Sequence, residues 1–259
     1  MSYKAGFIKF TGLLFCVLLF LSRSVIAGEF WDLPPLPPAD EYGNILISRT
    51  SNSHGIKPAT FSHWIHRLKF TCRVCHFELE FNLKTNTTEI TEAANREGKY
   101  CGASGCHDGK AAFGHKNVSD CEKCHNGDKS YGKERFSELS RLPAARFGNK
   151  IDWGMAMDKG LTAPVNYLYI KPDADISFKE ALVLESEWDG IPPAIFPHRT
   201  HSWLLDCSNC HPDIFNIKKK TTKHFSMMAN LRGEFCGVCH SKVAFPMNDC
   251  KRCHPAMSN

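Results

Sequence analysis

Cysteine and histidine recur in this chain in one short arrangement. The arrangement has five regular copies and one longer copy, CGASGCH at 101–107, which has two more residues between its cysteines. Thiols and imidazoles are nucleophiles and metal ligands, so each copy marks a candidate site of metal or cofactor chemistry. The regular pattern, Cys-x-x-Cys-His, occurs at 72–76, 121–125, 207–211, 236–240 and 250–254.

Three interpretations of the cysteine pairs compete. Disulfide bonds are the usual reason for an even number of cysteines in an exported protein. A Cys-x-x-Cys pair also supplies half of the ligands in many zinc sites. The third interpretation is covalent attachment of c-type haem, for which Cys-x-x-Cys-His is the signature.

The histidine behind each pair favours haem. A disulfide gives no reason for a histidine at that position, and the other ligands of a zinc site normally lie one long loop away. Haem attachment uses all three residues, because two thiols bond to the porphyrin edge and the next side chain binds the iron. We predict thioether bonds to haem from Cys72, Cys75, Cys121, Cys124, Cys207, Cys210, Cys236, Cys239, Cys250 and Cys253, and iron ligation by His76, His125, His211, His240 and His254.

The stretched copy is predicted to hold a sixth haem through Cys101 and Cys106, with His107 on the iron. His107 still follows the second cysteine directly, and the inserted residues lie within the small stretch GASG, which can bulge outward at little steric cost. The alternatives are a structural disulfide or the remains of a lost site, and the chain then binds five haems.

An internal repeat organises these motifs. Residues 58–76 align without a gap with 193–211, at an offset of 135 residues that also relates Cys101 to Cys236. We therefore expect two tandem three-haem units, at 54–125 and 193–259.

The segment between the units, 126–192, contains neither cysteine nor histidine and is predicted to link or pack the two units. Short helices are expected at 133–142 and 178–187. The apolar groups of 146–160 should pack on a haem or on the face between the units. Residues 28–53, which include PPLPPA, are expected to form an extended lead-in.

The first 27 residues are predicted to be a signal peptide. Lysines precede an apolar run from Phe10 to Leu21, and small residues lead to a cleavage position after Ala27. The run is about half of the ~20 residues that a spanning helix needs, so a retained anchor is the weaker alternative. Cys16 falls in the leader. We expect a periplasmic protein without a transmembrane segment in the mature chain; outer-membrane association or an extracellular location is the alternative.

The density of haems predicts the fold class. About 40 residues per haem are too few to bury each macrocycle in an ordinary protein core. We therefore expect a multihaem cytochrome c fold with little secondary structure, in which short α-helices and coil wrap around the haems. The protein should not fold without them.

Six irons also need a ligand on their other side, and seven histidines lie outside the motifs. Two pairs, in the sequence Phe-x-His-x-x-His, precede the first motif of each unit at equivalent places. Recurrence at one offset favours iron ligation over a surface histidine pair. The paired histidines are His63 and His66 in the first unit and His198 and His201 in the second.

The candidate ligands for the third haem differ between the two units. His224 is the histidine left in the second unit, and its counterpart in the first is Glu89. We predict His224 and, in the first unit, His115. The alternatives are His54 and Met227, since methionine also binds haem iron.

The order Phe-x-His-x-x-His, Cys-x-x-Cys-His and two further haem motifs resembles the class III cytochromes c, and the chain is similar to a tandem pair of their triheme, c7-type members. The resemblance covers both units but not 126–192. It implies that the first histidine of each pair serves the first haem of its unit and the second serves the next haem. The implied ligands are His63 for Cys72/Cys75, His66 for Cys101/Cys106, His198 for Cys207/Cys210 and His201 for Cys236/Cys239.

Iron held by two imidazoles has no open position for a substrate, and its potential is low compared with that of His/Met haem. We therefore expect a low-potential electron carrier of anaerobic respiration rather than an enzyme, and predict no catalytic residue. Its expected partners are a quinol-oxidising membrane complex and periplasmic or outer-membrane cytochromes. A multihaem reductase with one open haem, or a haem subunit of a membrane-associated complex, is the alternative. The net charge of +5 includes one basic run, at 218–220, which argues against a nucleic-acid partner.

Mass spectrometry of the exported protein checks the haem count and the leader together. The expected mass is that of a chain beginning at Gly28 plus six haems. A mass with five haems would show that Cys101 and Cys106 carry none, and a retained leader would contradict the predicted cleavage.

Overall fold

The computed structural model describes residues 33–172, 178, 180–218 and 221–258. The signal peptide predicted at 1–27, including Cys16, lies outside these ranges. Within them, every helix is too short or too polar to cross a membrane. The described residues from Leu36 onward form one compact unit, so both halves of the repeat belong to the same body.

Short helices dominate the regular structure, and in the described ranges the longest α-helix, His198–Leu204, has 7 residues. The α-helices are α1 Arg49–Ser53, α2 His63–Arg67, α3 Glu92–Arg96, α4 Cys121–Cys124, α5 Trp153–Asp158, α6 His198–Leu204, α7 Met227–Leu231, α8 Gly237–His240 and α9 Cys250–Cys253. A π-helical turn spans Val74–Glu78, and 3₁₀ turns span Tyr100–Gly102, Val118–Asp120, Lys133–Arg141 and Cys207–Asn209. The low content of helix and sheet agrees with the predicted fold class.

Two small antiparallel sheets occupy equivalent places in the repeat. In the first, β1 (Asn44–Ile47) pairs with β2 (Ala59–Ser62), from Asn44 opposite Ser62 to Ile47 opposite Ala59. In the second, β3 (Leu182–Leu184) pairs with β4 (Ala194–Phe196). β2 leads directly into α2, and β4 is followed by α6 after one residue. Each strand therefore fixes the start of a helix that carries a histidine pair.

The structure tests the predictions of secondary structure for 178–187, 133–142 and the lead-in. The helix expected at 178–187 is wrong, because Leu182–Leu184 is a strand. Its Leu-Val-Leu sequence suits a strand, and pairing with β4 satisfies an edge that would otherwise be open. The segment 133–142 is helical, with 3₁₀ geometry over Lys133–Arg141. The lead-in is not extended throughout, since it contains α1.

A core cluster joins the linking segment to α2. Trp64 of α2 is 2% exposed and packs edge-on against Phe136, at 5.2 Å between ring centroids. Leu139, Leu142 and Ala156, all from 126–192, complete the buried part of the cluster. One side of α2 therefore anchors the linking segment, which leaves His63 and His66 to point elsewhere.

The linking segment also contacts the second unit, as expected for 146–160. Asp152, at the start of α5, lies 2.6 Å from the Arg252 guanidinium in α9. Asn149 donates a hydrogen bond to the Tyr42 carbonyl at 3.1 Å, and the Tyr42 hydroxyl donates to the Ala244 carbonyl at 2.7 Å. Residues from three parts of the chain thus meet where the two units face each other.

A buried ion pair fastens Leu168 and Tyr169 of the linking segment to the first motif. The Arg73 guanidinium lies 2.7 Å from the Glu78 carboxylate, whose side chain has no exposed surface. The same carboxylate accepts backbone N–H bonds from Leu168 and Tyr169, at 2.8 and 2.7 Å. A buried pair is tolerated when its remaining polar atoms are bonded in this way.

The core cluster predicts a contrast between two leucines of the linking segment. Replacing Leu142 with Ala removes buried side-chain contacts and should lower the free energy of unfolding of the holoprotein by about 2–4 kcal/mol. Leu161, 49% exposed, provides the matched control, and Leu161→Ala should change it by less than about 0.5 kcal/mol. Guanidinium unfolding followed by visible absorbance measures both, and equal effects would contradict the assignment of the core.

Candidate haem sites

The strand–helix units position the histidine pairs in the same way in both halves. Phe61 of β2 stacks on His66, at 4.3 Å and 26° between ring planes, and meets His63 edge-on at 4.8 Å. Phe196 repeats these contacts at 4.3 Å with His201 and 4.7 Å with His198. The phenyl ring limits the rotation of both imidazoles, so each pair is presented in a fixed orientation.

Two of these histidines face a motif histidine at the distance expected for two ligands of one metal ion. The ring centroids of His66 and His107 are 6.1 Å apart, and those of His201 and His240 are 6.2 Å apart. Two imidazoles on opposite sides of one metal have centroids about 6 Å apart when each nitrogen lies about 2 Å from it. These are the partners that the resemblance implied for the second haem of each unit.

The first histidine of each pair lies near the first motif histidine. His63 is close enough to His76, and His198 to His211, for the charge of one ring to act on the other. Burial lowers the pKa of His63 to about 3. The ring is therefore neutral at neutral pH, the form that binds metal.

All six motif histidines share one hydrogen bond. Nδ1 of each ring lies within bonding distance of a backbone carbonyl, which can only accept, so Nδ1 carries the proton. Nε2 is then the atom with a free lone pair, and the bond fixes both the tautomer and the direction in which it points. The acceptors are the carbonyls of Phe81 for His76 (2.7 Å), Phe113 for His107 (3.0 Å), Lys57 for His125 (2.9 Å), Phe215 for His211 (2.6 Å), Phe245 for His240 (2.8 Å) and Pro192 for His254 (2.7 Å).

The same bond recurs in three of the six other predicted ligands. His63 bonds to the Gly43 carbonyl at 2.7 Å, His66 to that of Ser62 at 2.8 Å and His201 to that of Pro197 at 3.0 Å. This arrangement fits haem iron, since a ligating histidine normally donates its other ring N–H to a carbonyl or carboxylate.

The cysteines fit a bond to haem better than a zinc thiolate. Burial raises the pKa of Cys75, Cys101, Cys236 and Cys239 to about 12. Such surroundings suit a neutral sulfur, as in a thioether, whereas zinc binds the thiolate. Among the residues that the structure describes, no group of three or more metal-binding side chains is arranged to hold a metal ion.

The stretched motif keeps the backbone geometry of the regular ones. The His107 N–H donates to the Cys101 carbonyl at 2.9 Å, as the His240 N–H does to Cys236 at 3.0 Å, although His107 lies two residues further along. The extra residues bulge outward: Ser104 and Gly105 are exposed, and Gly105 has a φ of +83°, which glycine adopts without strain. The insertion therefore leaves both cysteines and the histidine in a regular relation.

The second motif of each unit packs tightly under the preceding helix. A Cβ added to Gly102 would lie 1.8 Å from the Asn95 carbonyl oxygen, and one added to Gly237 would lie 1.9 Å from that of Asn230. Both distances are impossible for a side chain. The glycine behind the first cysteine is thus required at both places, at the 135-residue offset of the repeat. Sequence analysis missed these glycines, although their repetition was visible.

His115 and His54 differ as candidates for the third haem of the first unit. Nε2 of His115 is buried and has no hydrogen-bond partner in the described part of the chain, which is costly unless it binds something else. Its neighbours include His107 and His125, and burial lowers its pKa. His54 is exposed, with Nδ1 2.9 Å from the Thr50 carbonyl. The buried nitrogen of His115 fits ligation better.

Glu89, the counterpart of His224 in the first unit, forms an ion pair. Glu89 lies 3.2 Å from Arg49, the first residue of α1, and both side chains are exposed. The Ser48 N–H donates to Asn86 at 2.7 Å, so α1 lies against this loop. The two units therefore differ at the point where the sequence had already shown a departure from the repeat.

His224 lies in an open pocket of about 440 Å³, which Met228 also lines. Its φ of +60° is unusual for a residue other than glycine and is often found at functional sites. Met227, the alternative named from the sequence, has its backbone N–H bonded to the Glu187 carboxylate at 2.9 Å. Of the two methionines, Met228 shares the pocket with His224.

Comparison with known proteins gives a family and three similar structures. The model of the family described as cytochrome c7 and related cytochrome c matches residues 59–126 and 194–255, half of the chain. The solved C-terminal hexaheme fragment of GSU1996 is 27% identical, with 85% of this chain and 99% of that chain covered and a TM-score of 0.27. Dodecaheme cytochrome c GSU1996 is 25% identical (83% and 75% covered, TM-score 0.28) and its N-terminal hexaheme fragment 23% (83% and 99%, 0.27). No curated protein matches the chain.

The contact between Gly102 and Asn95 predicts that Gly102→Ala impairs the stretched site. The added methyl group must push the motif away from α3, so a fraction of the exported protein should carry five haems, as measured by mass spectrometry. Gly154→Ala is the control, because a Cβ there would lie at an ordinary 3.5 Å from Asp152 Oδ1. Full loading of the Gly102→Ala variant would contradict the predicted packing.

Proposed function

Because the chain belongs to the family of cytochrome c7 and related cytochromes c, we propose that it is a low-potential periplasmic electron carrier with six haems, active in anaerobic respiration. The observation that carries the proposal is the pairing of half-buried imidazoles at His66/His107 and His201/His240, whose ring centroids are 6.1 and 6.2 Å apart. Haem iron held by these two imidazoles would have no open position for a substrate, which suits electron transfer.

Six haems would be held by the six cysteine pairs, including Cys101 and Cys106. The retained His107–Cys101 backbone bond and the carbonyl bond to the His107 ring support loading of the stretched motif. The residue pairs that would hold the irons are His63 with His76, His66 with His107, His115 with His125, His198 with His211, His201 with His240 and His224 with His254.

Each haem supplies, when bound, an iron that changes oxidation state by one electron. The chain's own residues keep the surroundings of that change constant. Carbonyl bonds hold the imidazole rings in one orientation, and the phenyl rings of Phe61 and Phe196 pack against the histidine pairs. Rigid ligands favour transfer, because little has to move when the charge changes.

Contacts between motifs support a relay that runs through both units. The Asn209 amide, inside the motif of the second unit's first site, donates to the His76 carbonyl at 2.9 Å. Cys72 and Cys239, from different units, lie close enough to interact electrostatically. Electrons entering one unit therefore have a short path to the other. The expected partners are a quinol-oxidising membrane complex and periplasmic or outer-membrane cytochromes.

A second candidate function, reduction of a small substrate, is favoured by one observation. His224 is exposed in an open pocket whose lining includes Arg232, Glu187 and Glu234. A weakly held ligand at this position would open the haem at Cys250/Cys253 to substrate, with charged groups beside it.

Carbon monoxide separates the two functions, because it binds reduced haem iron at an open axial position. The reduced holoprotein should bind none rapidly and stoichiometrically, as measured by visible absorbance. His66→Ala should create one binding haem per molecule, and His54→Ala should create none. Rapid binding of one equivalent by the unaltered protein would contradict the carrier function and favour a reductase.

A further inference from the structure

Arg67, the last residue of α2, places a cation at the contact between the two units. Its guanidinium Nη2 donates to the Val243 carbonyl at 2.8 Å. Its Cζ atom lies 5.1 Å from the ring centroid of Trp153, in cation–π contact. Burial lowers the pKa of Arg67, but a guanidinium remains protonated in proteins. The charge is therefore permanent.

Arg67 has no carboxylate partner among the described residues, where the ion pairs are made by other side chains. Arg73, which is buried, has two carboxylate partners, Glu78 at 2.7 Å and Asp206 at 3.6 Å. The Arg67 charge instead contacts the Val243 carbonyl and the Trp153 ring, at the contact between the two units. Arg67 is therefore a partly buried cation that no carboxylate of the described residues neutralises.

The groups on which this charge acts belong to two different haem sites. His63 and Cys72 are part of the first site of the first unit. Cys239 and His240 are part of the second site of the second unit. The cation thus lies between two sites that the fold brings together from opposite halves of the repeat.

The repeat does not reproduce this cation. The residue 135 positions after Arg67 is Ser202, which is exposed and donates its hydroxyl to the Arg199 carbonyl at 3.2 Å. Two equivalent helices with equivalent histidine pairs therefore differ in a partly buried charge.

We propose that the positive charge of Arg67 raises the reduction potentials of the haems at Cys72/Cys75 and Cys236/Cys239. The potentials of these two haems are then higher than those of their repeat equivalents at Cys207/Cys210 and Cys101/Cys106. The proposal rests on the proposed function, since it concerns redox-active haems in these motifs. Reduction adds one negative charge, which a nearby cation stabilises, and burial screens that interaction little. A haem carboxylate paired with Arg67 would act in the same direction, because its own negative charge would be neutralised.

The test is a redox titration of the holoprotein with haem-resolved NMR, using dithionite as the reductant. Arg67→Gln should make reduction of the two haems at least tenfold less favourable, a shift of about 59 mV for a one-electron couple. Arg67→Lys keeps the charge and should restore most of the shift. Arg199→Gln removes an exposed arginine from the equivalent helix and should leave all six potentials unchanged.

An equal shift of all six haems, or no shift, would overturn the proposal, as would failure of Arg67→Lys to restore the potentials. If Arg67→Gln loses haem, the unaltered protein decides: its haem at Cys72/Cys75 must have a higher potential than that at Cys207/Cys210. Failure of the proposed function is distinct, because the unaltered protein would then bind carbon monoxide or fail to take up six electrons reversibly.

Discussion

The hydrogen bond from a histidine Nδ1 to a backbone carbonyl is the interaction on which the site geometry depends. It fixes the tautomer, so that Nε2 keeps its lone pair, and it fixes the ring orientation. Several acceptors lie far from their histidine in the chain: Gly43 for His63, Lys57 for His125 and Pro192 for His254. Segments without haem motifs are therefore required for the sites, because they supply the carbonyls.

The two units share this framework but are not equivalent. The strand–helix connections and the glycines under α3 and α7 repeat closely. The differences lie at the third ligand, where Glu89 pairs with Arg49 while His224 lies in an open pocket, and at the unit contact, where Arg67 faces both halves. A duplicated chain that folds as one body gives its copies different neighbours, and equivalent residues then acquire different roles.

The linking segment shows where local sequence reasoning works and where it fails. Lys133–Arg141 is helical as its pattern indicates, and Trp153 packs at the inter-unit face. Leu182–Leu184 lies in a segment predicted to be helical but forms a strand, because it pairs with β4, a contact that no local pattern reveals. The Arg73–Glu78 pair likewise depends on Leu168 and Tyr169, some ninety residues away.

The sequence by itself determined the chemistry that depends on local spacing: the six cysteine pairs, the histidine behind each, the two Phe-x-His-x-x-His pairs and the repeat that relates them. Such motifs can be recognised in a sequence because the cofactor's own dimensions set the distances between the residues. Only the tertiary structure decided which rings face each other, that His115 has a buried nitrogen without a partner, and that Arg67 lies between two sites. These properties arise from contacts between distant segments, and burial and electrostatic surroundings exist only after the chain has folded.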